Sequence, residues 1–312
     1  MKLGNNDITL KLGSADVSAA YLGSTLVYSG GSQPTPPHDY SQDYLTFRAR
    51  EDGTFSFSKT GASYSLDSGT TWTSIAANAN TPTVQSGDTI MWRGNMTQTS
   101  VEGIGTFSSS GNFDVDGNIM SLVYGDGFIG QTIINDFQFR TLFNNCNKLI
   151  SAENLVLPST TLTTNCYFAM FASCSSLTTA PQLPATTLAE YCYNQMFYGC
   201  SSLTTPPMTL PATTLAQSCC YLMFYHCTSL ASAPQLLATT LSDRCYQSMF
   251  AGCTSLSAIT CLATDISAER CTMNWLYNVS SSGTFTKAES MNDWQSGGDG
   301  IPSSWTVVDY SS

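Results

Sequence analysis

The chain has 312 residues, 42% hydrophobic and only 11% charged, with 22 acidic against 11 basic residues and a formal net charge of −11. This composition allows a sizeable core beneath a coat of Ser, Thr, Asn, Gln and Tyr, and its length suits two or three domains. The negative balance removes the attraction to phosphate backbones behind non-specific nucleic-acid binding, so nucleic acid is not an expected partner.

No apolar run approaches the roughly 18 residues of a membrane span, and no membrane partner is expected. The opening stretch "MKLGNNDITLKLG" lacks the apolar region of a secretory signal. Either this is a mature form, or export follows another route, for example release inside a virus particle when a host lyses.

Residues 1–30 carry a small repeat: Leu3-Gly4 with Ile8, Leu12-Gly13 with Val17, and Leu22-Gly23 with Val27. Each unit reads as a short strand after a glycine turn. So short a segment cannot build a stable core alone. Residues 1–28 are thus expected to complete a sheet against another chain, either a copy of this one in a homo-oligomer or a docking partner. Residues 31–39 read as a linker, because Gly and Ser give freedom and the prolines favour extended chain. His38 in this stretch reads as solvated.

From 40 to 136 the pattern is β: "YLTFRA", "TFSFS", "YSLD", "TIMWRG", "IGTFSS" and "NIMSLVY" are punctuated by Gly, Asn and Asp. A small β-sandwich is predicted. Within it Ser65 to Trp72, "SLDSGTTW", resembles the Asp-box of sialidases and other carbohydrate-associated β proteins. The resemblance implies a structural brace, with Asp67 bonding turn amides, Gly69 in the strained position and Trp72 packed beneath. The acidic stretches "DVDGN" (114–118) and "YGDG" (124–127) read as Asx-type turns, since the later ligands of a calcium loop are missing.

From 137 to 284 the chain is periodic. Met-Phe pairs stand at 170–171, 196–197, 223–224 and 249–250, spaced by 26, 27 and 26 residues, with degraded copies at Thr141–Leu149 and Cys271–Val279. Such periods mean stacked units with atypical caps. A unit reads "LPATTLAEYCYNQMFYGCSSLTT", in which Leu188, Cys192, Met196 and Cys200 step by four. The same stripe recurs as Leu162, Cys166, Met170, Cys174; as Leu215, Cys219, Met223, Cys227; and as Leu241, Cys245, Met249, Cys253. Four-residue steps follow one face of an α-helix, so a buried helix is predicted, capped by the Thr-Thr pair and widened by Phe171, Phe197, Phe224 and Phe250.

On such a helix, cysteines eight apart lie about 12 Å from each other, and equivalent cysteines on neighbouring helices about 8–10 Å, both beyond disulfide reach. Nor do they have zinc-ligand spacing. Cys166, Cys174, Cys192, Cys200, Cys219, Cys227, Cys245 and Cys253 are read as small apolar filler. Leu177, Leu203, Leu230 and Leu256 are read as anchors of a short extended return segment.

One helix and one extended segment per unit give an α/β coil of the leucine-rich-repeat kind. The unit, as in "SMFAGCTSL" at 248–256, is similar to the BspA-like leucine-rich repeats of bacterial surface proteins and phage virion proteins. It departs from many of these in having Ala-Pro-Gln where they carry an Ile-x-Ile strand. "LGSTLVYSG" at 22–30 looks like segments that open phage structural proteins. Residues 285–312 are read as a C-terminal cap, with Trp275, Trp294 and Trp305 closing the stack.

The predicted class is thus α+β and multidomain: an N-terminal β segment, a β-sandwich, a solenoid and a cap. Glu153, Glu190, Asp243, Arg244, Asp265, Glu269 and Arg270 are the charges of residues 151–270 and are read as non-recurring, so no catalytic residue, cofactor or metal ligand is expected. Positions off the stripe do vary: Tyr167, Phe168, Tyr193, Asn194, Tyr198, Tyr221, Tyr225, His226, Tyr246 and Gln247 are the candidate ligand contacts, since Tyr offers a large amphipathic face at low entropy cost. The expectation is a non-enzymatic phage tail or fibre protein, localised to the virion. It would dock on other virion proteins through residues 1–28 and present its repeats to a host-surface glycan or protein. The alternatives are a bacterial cell-surface adhesin and, from the Asp-box alone, a glycan-cleaving enzyme.

Overall fold

The computed structural model describes residues 38–96 and 101–311 and, within the first 37 residues, the backbone of Lys11–Leu12, Ala15–Asp16, Ala19–Leu22 and Thr25–Ser29. These four strands form two antiparallel pairs, with Lys11 opposite Asp16 and Ala19 opposite Ser29. Leu3, Gly4, Ile8, Gly13, Val17, Gly23 and the linker at 31–37 lie outside the described residues. Residues 1–39 form one compact unit and residues 40–312 a second.

The second unit is mostly β and ends in a β-solenoid of about four turns. Its first part is built on a seven-stranded sheet. The central strands Leu45–Ala49, Thr89–Gly94 and Phe113–Asn118 alternate inward Phe, Ile, Trp and Val with polar residues. Ala62–Ser65 and Thr73–Ser74 extend one side. A two-stranded sheet, Phe55–Phe57 with Phe107–Ser109, supplies the facing layer. Phe47 lies between the layers, 5.4 Å from Phe55 and 4.8 Å from Phe107. Burying a ring of this size stabilises by about 1.5–3 kcal/mol.

Two local expectations need correction. "NIMSLVY" is no strand: the chain leaves Phe113–Asn118 and turns into Ser121–Tyr124, the single α-helix of the described residues. The acidic stretch "DVDGN" is no turn, because it lies within the strand Phe113–Asn118. Asp114 and Asp116, two apart and so on one face, pair with Arg50 at 2.8 Å and Arg48 at 3.3 Å. Gly117 follows from close packing, because a Cβ there would run into the Tyr44 carbonyl oxygen.

Phe113–Asn118 also pairs in parallel with Leu149–Ser151 and Leu155–Val156. The solenoid thus grows directly out of the sheet, and one hydrophobic core runs through both. Along the solenoid, Thr209–Leu210, Gln235–Leu236, Ala258–Cys261, Thr284–Lys287 and Thr306–Asp309 stack as a parallel sheet. A second parallel line passes through Thr161, Thr187, Thr214, Thr240 and Asp265. The Thr-Thr pairs therefore bridge successive coils and do not cap helices.

The predicted helices are absent, and the α+β reading fails at this point. In place of each helix stands a run of β-turns. Cys166, Phe168, Met170, Ala172 and Cys174 donate their amides to the carbonyl three residues back, while Asn165, Tyr167, Ala169, Phe171 and Ser173 donate to the next coil. Every fourth residue has positive φ: 165, 169, 173; then 191, 195, 199; 218, 222, 226; 244, 248, 252; and 270, 274, 278. Turns with and without a positive second central residue alternate, the former being the requirement of type II.

Spacing explains why a ladder replaces a helix. Packed helices need about 8–10 Å, whereas parallel strands sit about 4.8 Å apart. Phe143, Phe171, Phe197, Phe224 and Phe250 stack ring on ring at 5.3–5.5 Å, so both faces of each coil advance at nearly strand spacing. No helix fits between rungs that close. A strict four-residue period also holds Cys, Met and Cys inward without the drift of about 40° per step that a helix imposes.

The stack ends on tryptophan. Trp275 lies flat on Trp294 at 5.3 Å, and its Nε1 donates to the Gly300 carbonyl at 2.8 Å. Trp305 Nε1 donates to the Ser280 carbonyl at 2.9 Å.

Candidate functional site

All twelve cysteines are free and buried. The in-register stack removes the distance argument drawn from helices, because rungs about 4.8 Å apart lie within the Cα range of a disulfide. Orientation matters instead. Parallel Cβ vectors hold Cβ atoms at the rung spacing, beyond the roughly 3.8 Å that a disulfide prefers. The thiols are also engaged: Cys174, Cys200, Cys227 and Cys253 donate to the carbonyls of Phe143, Phe171, Phe197 and Phe224 on the preceding rung at 2.9, 3.1, 3.1 and 2.9 Å. These residues are therefore rung-to-rung hydrogen-bond donors as well as filler. Burial pushes the Cys146, Cys166, Cys253 and Cys261 thiols up to about 12, so they stay protonated and poorly nucleophilic.

The turn ladder sorts nine of the ten candidate contact residues into two groups. Tyr167, Tyr193 and Tyr246 are at most 2% exposed, and Tyr167 stacks on Tyr193 at 6.1 Å inside the core. They cannot meet a ligand. In each four-residue step two consecutive side chains point inward, and these tyrosines follow the first cysteine where the helix reading had placed them outside. Phe168, Tyr198, Tyr221, Tyr225, His226 and Gln247 reach the surface. Phe168 lies under the Arg140 guanidinium at 4.6 Å. Tyr198 stacks on Tyr225 at 5.1 Å, and His226 meets the Tyr225 ring edge-on at 4.3 Å.

Asn194 belongs to neither group. Its column, Phe168, Asn194, Tyr221 and Gln247, faces outward, yet the residue is 4% exposed and its Oδ1 is buried without a hydrogen-bond partner. It lines a trough of about 310 Å³ with Tyr191, Ser218, Tyr221, Arg244, Gln247 and Arg270. Tyr191, Ser218, Arg244 and Arg270 are the positive-φ residues of four consecutive rungs, so the trough runs along the stack between two columns. Glu269 lies 4.0 Å from the Arg244 guanidinium and 3.5 Å from that of Arg270. Sequence reasoning named Asn194, Tyr221 and Gln247, but set Arg244 and Arg270 aside as non-recurring and overlooked Tyr191 and Ser218. The signal for that column was its period: Asn165, Tyr191, Ser218, Arg244 and Arg270, all with left-handed backbone, stand 26 or 27 residues apart.

A second cleft of about 310 Å³ is walled by Gly61, Ser63, Arg93, Gly94, Asn95, Gly125 and Asp126. Its charged groups satisfy one another. Asp126 accepts from Arg93 and, at 2.9 Å, from the Tyr44 hydroxyl, and these bonds hold its carboxyl below the usual range. The Arg93 guanidinium lies 4.3 Å from the centre of the Trp72 ring.

Beside that cleft, "SLDSGTTW" folds into a closed set of bonds. Asp67 accepts the Thr71 amide at 2.8 Å and the Thr71 hydroxyl at 2.7 Å, and Ser65 Oγ accepts the Gly69 amide at 2.9 Å. Gly69 has φ +85°, and Trp72 Nε1 donates to its carbonyl at 3.0 Å. The bonds from Thr71, then that from Ser65, lower the Asp67 carboxyl to about 2. Both carboxylate oxygens of Asp67 and the Ser65 hydroxyl are bonded within the hairpin.

Comparison with protein-family models, with curated proteins and with solved structures finds no match to this chain.

Proposed function

We propose that the chain is a non-enzymatic attachment protein of a phage virion, a tail or fibre component. It docks through residues 1–28 and presents the solenoid to a host-surface receptor, a glycan or a protein. The BspA-like leucine-rich-repeat kinship of residues 137–284, without its helices, belongs to the same proposal. So do the likeness of "LGSTLVYSG" to phage structural proteins and the division into attachment segment, linker, β-sandwich, solenoid and cap.

One observation carries the reading. Rungs with nearly identical interiors differ in their outward columns, Phe168, Asn194, Tyr221, Gln247 in one and Tyr198, Tyr225 beside His226 in another. A rigid scaffold with a varied, aromatic and amide-rich exterior suits recognition. The motif around Asp67 supports the non-enzymatic reading, since its carboxylate is committed to Thr71.

Mass spectrometry of purified, crosslinked virions tests the proposal. The chain should be found in the particle, with crosslinks from residues 1–28 to another structural protein. Its absence from particles of a phage that encodes it would overturn the virion assignment.

A further inference from the structure

The trough on the turn-ladder edge presents an unmet hydrogen-bonding demand. Asn194 Oδ1 is a buried acceptor without a donor, and leaving such a group unpaired costs about 1–3 kcal/mol. A ligand hydroxyl entering the trough would remove that cost. The glycine-walled cleft makes no such demand, because Arg93, Asp126 and Tyr44 already pair among themselves.

The walls indicate the kind of ligand. Tyr191 and Tyr221 offer ring faces, and Ser218, Gln247, Arg244 and Arg270 offer hydroxyl, amide and guanidinium groups. The two guanidinium groups share Glu269, which leaves one net positive charge of the three, and a chain of charge −11 repels polyanions. Peptide capture by strand addition needs a row of free backbone donors, and six of the seven lining residues have theirs engaged. The amides of Tyr191, Ser218 and Arg244 donate to the next rung, and those of Asn194, Tyr221 and Gln247 donate to Tyr191, Ser218 and Arg244. Four rungs give the trough a length of about 14 Å along the stack, which suits an extended ligand better than a compact one.

We propose that this trough binds a linear, neutral, hydroxyl-rich glycan lying along the solenoid axis, with a sugar hydroxyl donating to Asn194 Oδ1 and sugar rings against Tyr191 and Tyr221. The proposal rests on the attachment reading above and names the receptor class.

The test uses the fluorescently labelled full chain on a panel of bacterial strains. Cells are compared untreated, after periodate oxidation of sugar diols and after surface proteolysis. Asn194→Leu and Tyr221→Ala are measured beside Tyr198→Ala, which does not line the trough. Asn194→Leu should melt no lower than the parent, because it removes an unpaired polar group from a buried site; a lower melting temperature would mean that Oδ1 is already satisfied and would overturn the proposal. Adhesion should vanish after periodate, survive proteolysis, weaken at least tenfold in Asn194→Leu and Tyr221→Ala, and persist in Tyr198→Ala. Undiminished adhesion by the two trough variants, or loss on proteolysis alone, would overturn the trough assignment and leave the attachment function standing. Adhesion to no strain would overturn the attachment reading and this inference with it.

Discussion

The two halves of the second unit bury the same kinds of ring in opposite ways. In the sheet region Phe47 meets Phe107 at 83° and Phe55 meets Phe113 at 87°, because antiparallel strands bring unlike residues together and the rings settle edge to face. In the ladder Phe171, Phe197 and Phe224 lie within 3–11° of parallel, because each rung places a copy of one residue above its predecessor. The first packing is a jigsaw in which each ring has its own neighbours. The second is a column whose geometry is set by the rung spacing, and it begins where Phe107 stacks on Phe143 at 5.7 Å.

The contrast can be broken most forcefully at its centre. Phe197→Ala should cost about 3–5 kcal/mol, and in a stack whose rungs touch only their neighbours the damage should stay local. Hydrogen exchange should quicken in residues 163–250 while 45–118 keeps its protection. Phe55→Ala, similar in cost, should loosen the sheet region first. Equal loss of protection in both regions by both variants would show that they open as one.

A smaller change tells ladder from helix by its sign. Ser173 has φ +60° and occupies the position that Gly199 and Gly252 take on later rungs. Relief of left-handed strain, about 1–2 kcal/mol, exceeds the entropic cost of glycine, about 0.5–1 kcal/mol. Ser173→Gly should therefore raise stability by about 0.5–1 kcal/mol in urea unfolding. In a helix interior the same substitution would lower it.

The smallest effect is expected at the exposed hairpin of the sheet region. Its Asp67 carboxyl is lowered to about 2 in the folded chain, chiefly by the Thr71 bonds. A depressed carboxylate contributes stability at pH above its unfolded value near 4 and loses it as pH falls toward 2. The melting-temperature difference between the parent and Asp67→Asn should be present at pH 6 and shrink through the pH 4 to 2 window. A difference independent of pH there would remove the carboxylate from the account of this hairpin. The solenoid has a lowered carboxyl of its own, Asp265, held below the usual range by bonds from Ser267, so the difference between the parent and Asp67→Asn, and not the acid-side loss itself, reports on this hairpin.

Much of this molecule was legible in its residues. Alternation gave the strands at Leu45–Ala49, Phe55–Phe57 and Thr89–Gly94. The stripe of Cys192, Met196 and Cys200 marked three side chains that are all fully buried. Asn194, Tyr221 and Gln247 were legible as outward variation. Arg244 and Arg270 were not, although they stand one period of 26 residues apart, because the column they share with Tyr191 and Ser218 follows from left-handed backbone that a helix does not have.

Sequence periodicity alone determined that the chain stacks, how many residues each coil takes, and that cysteine, methionine and phenylalanine turn inward. Whether a four-residue step becomes a helix or a chain of turns was decided only in three dimensions. Both conformations put such a stripe on one side, and only the second lets successive rungs approach to strand spacing and satisfy each other's amides. That same closeness buried Tyr167, Tyr193 and Tyr246 and left Asn194 facing a groove with its oxygen unpaired.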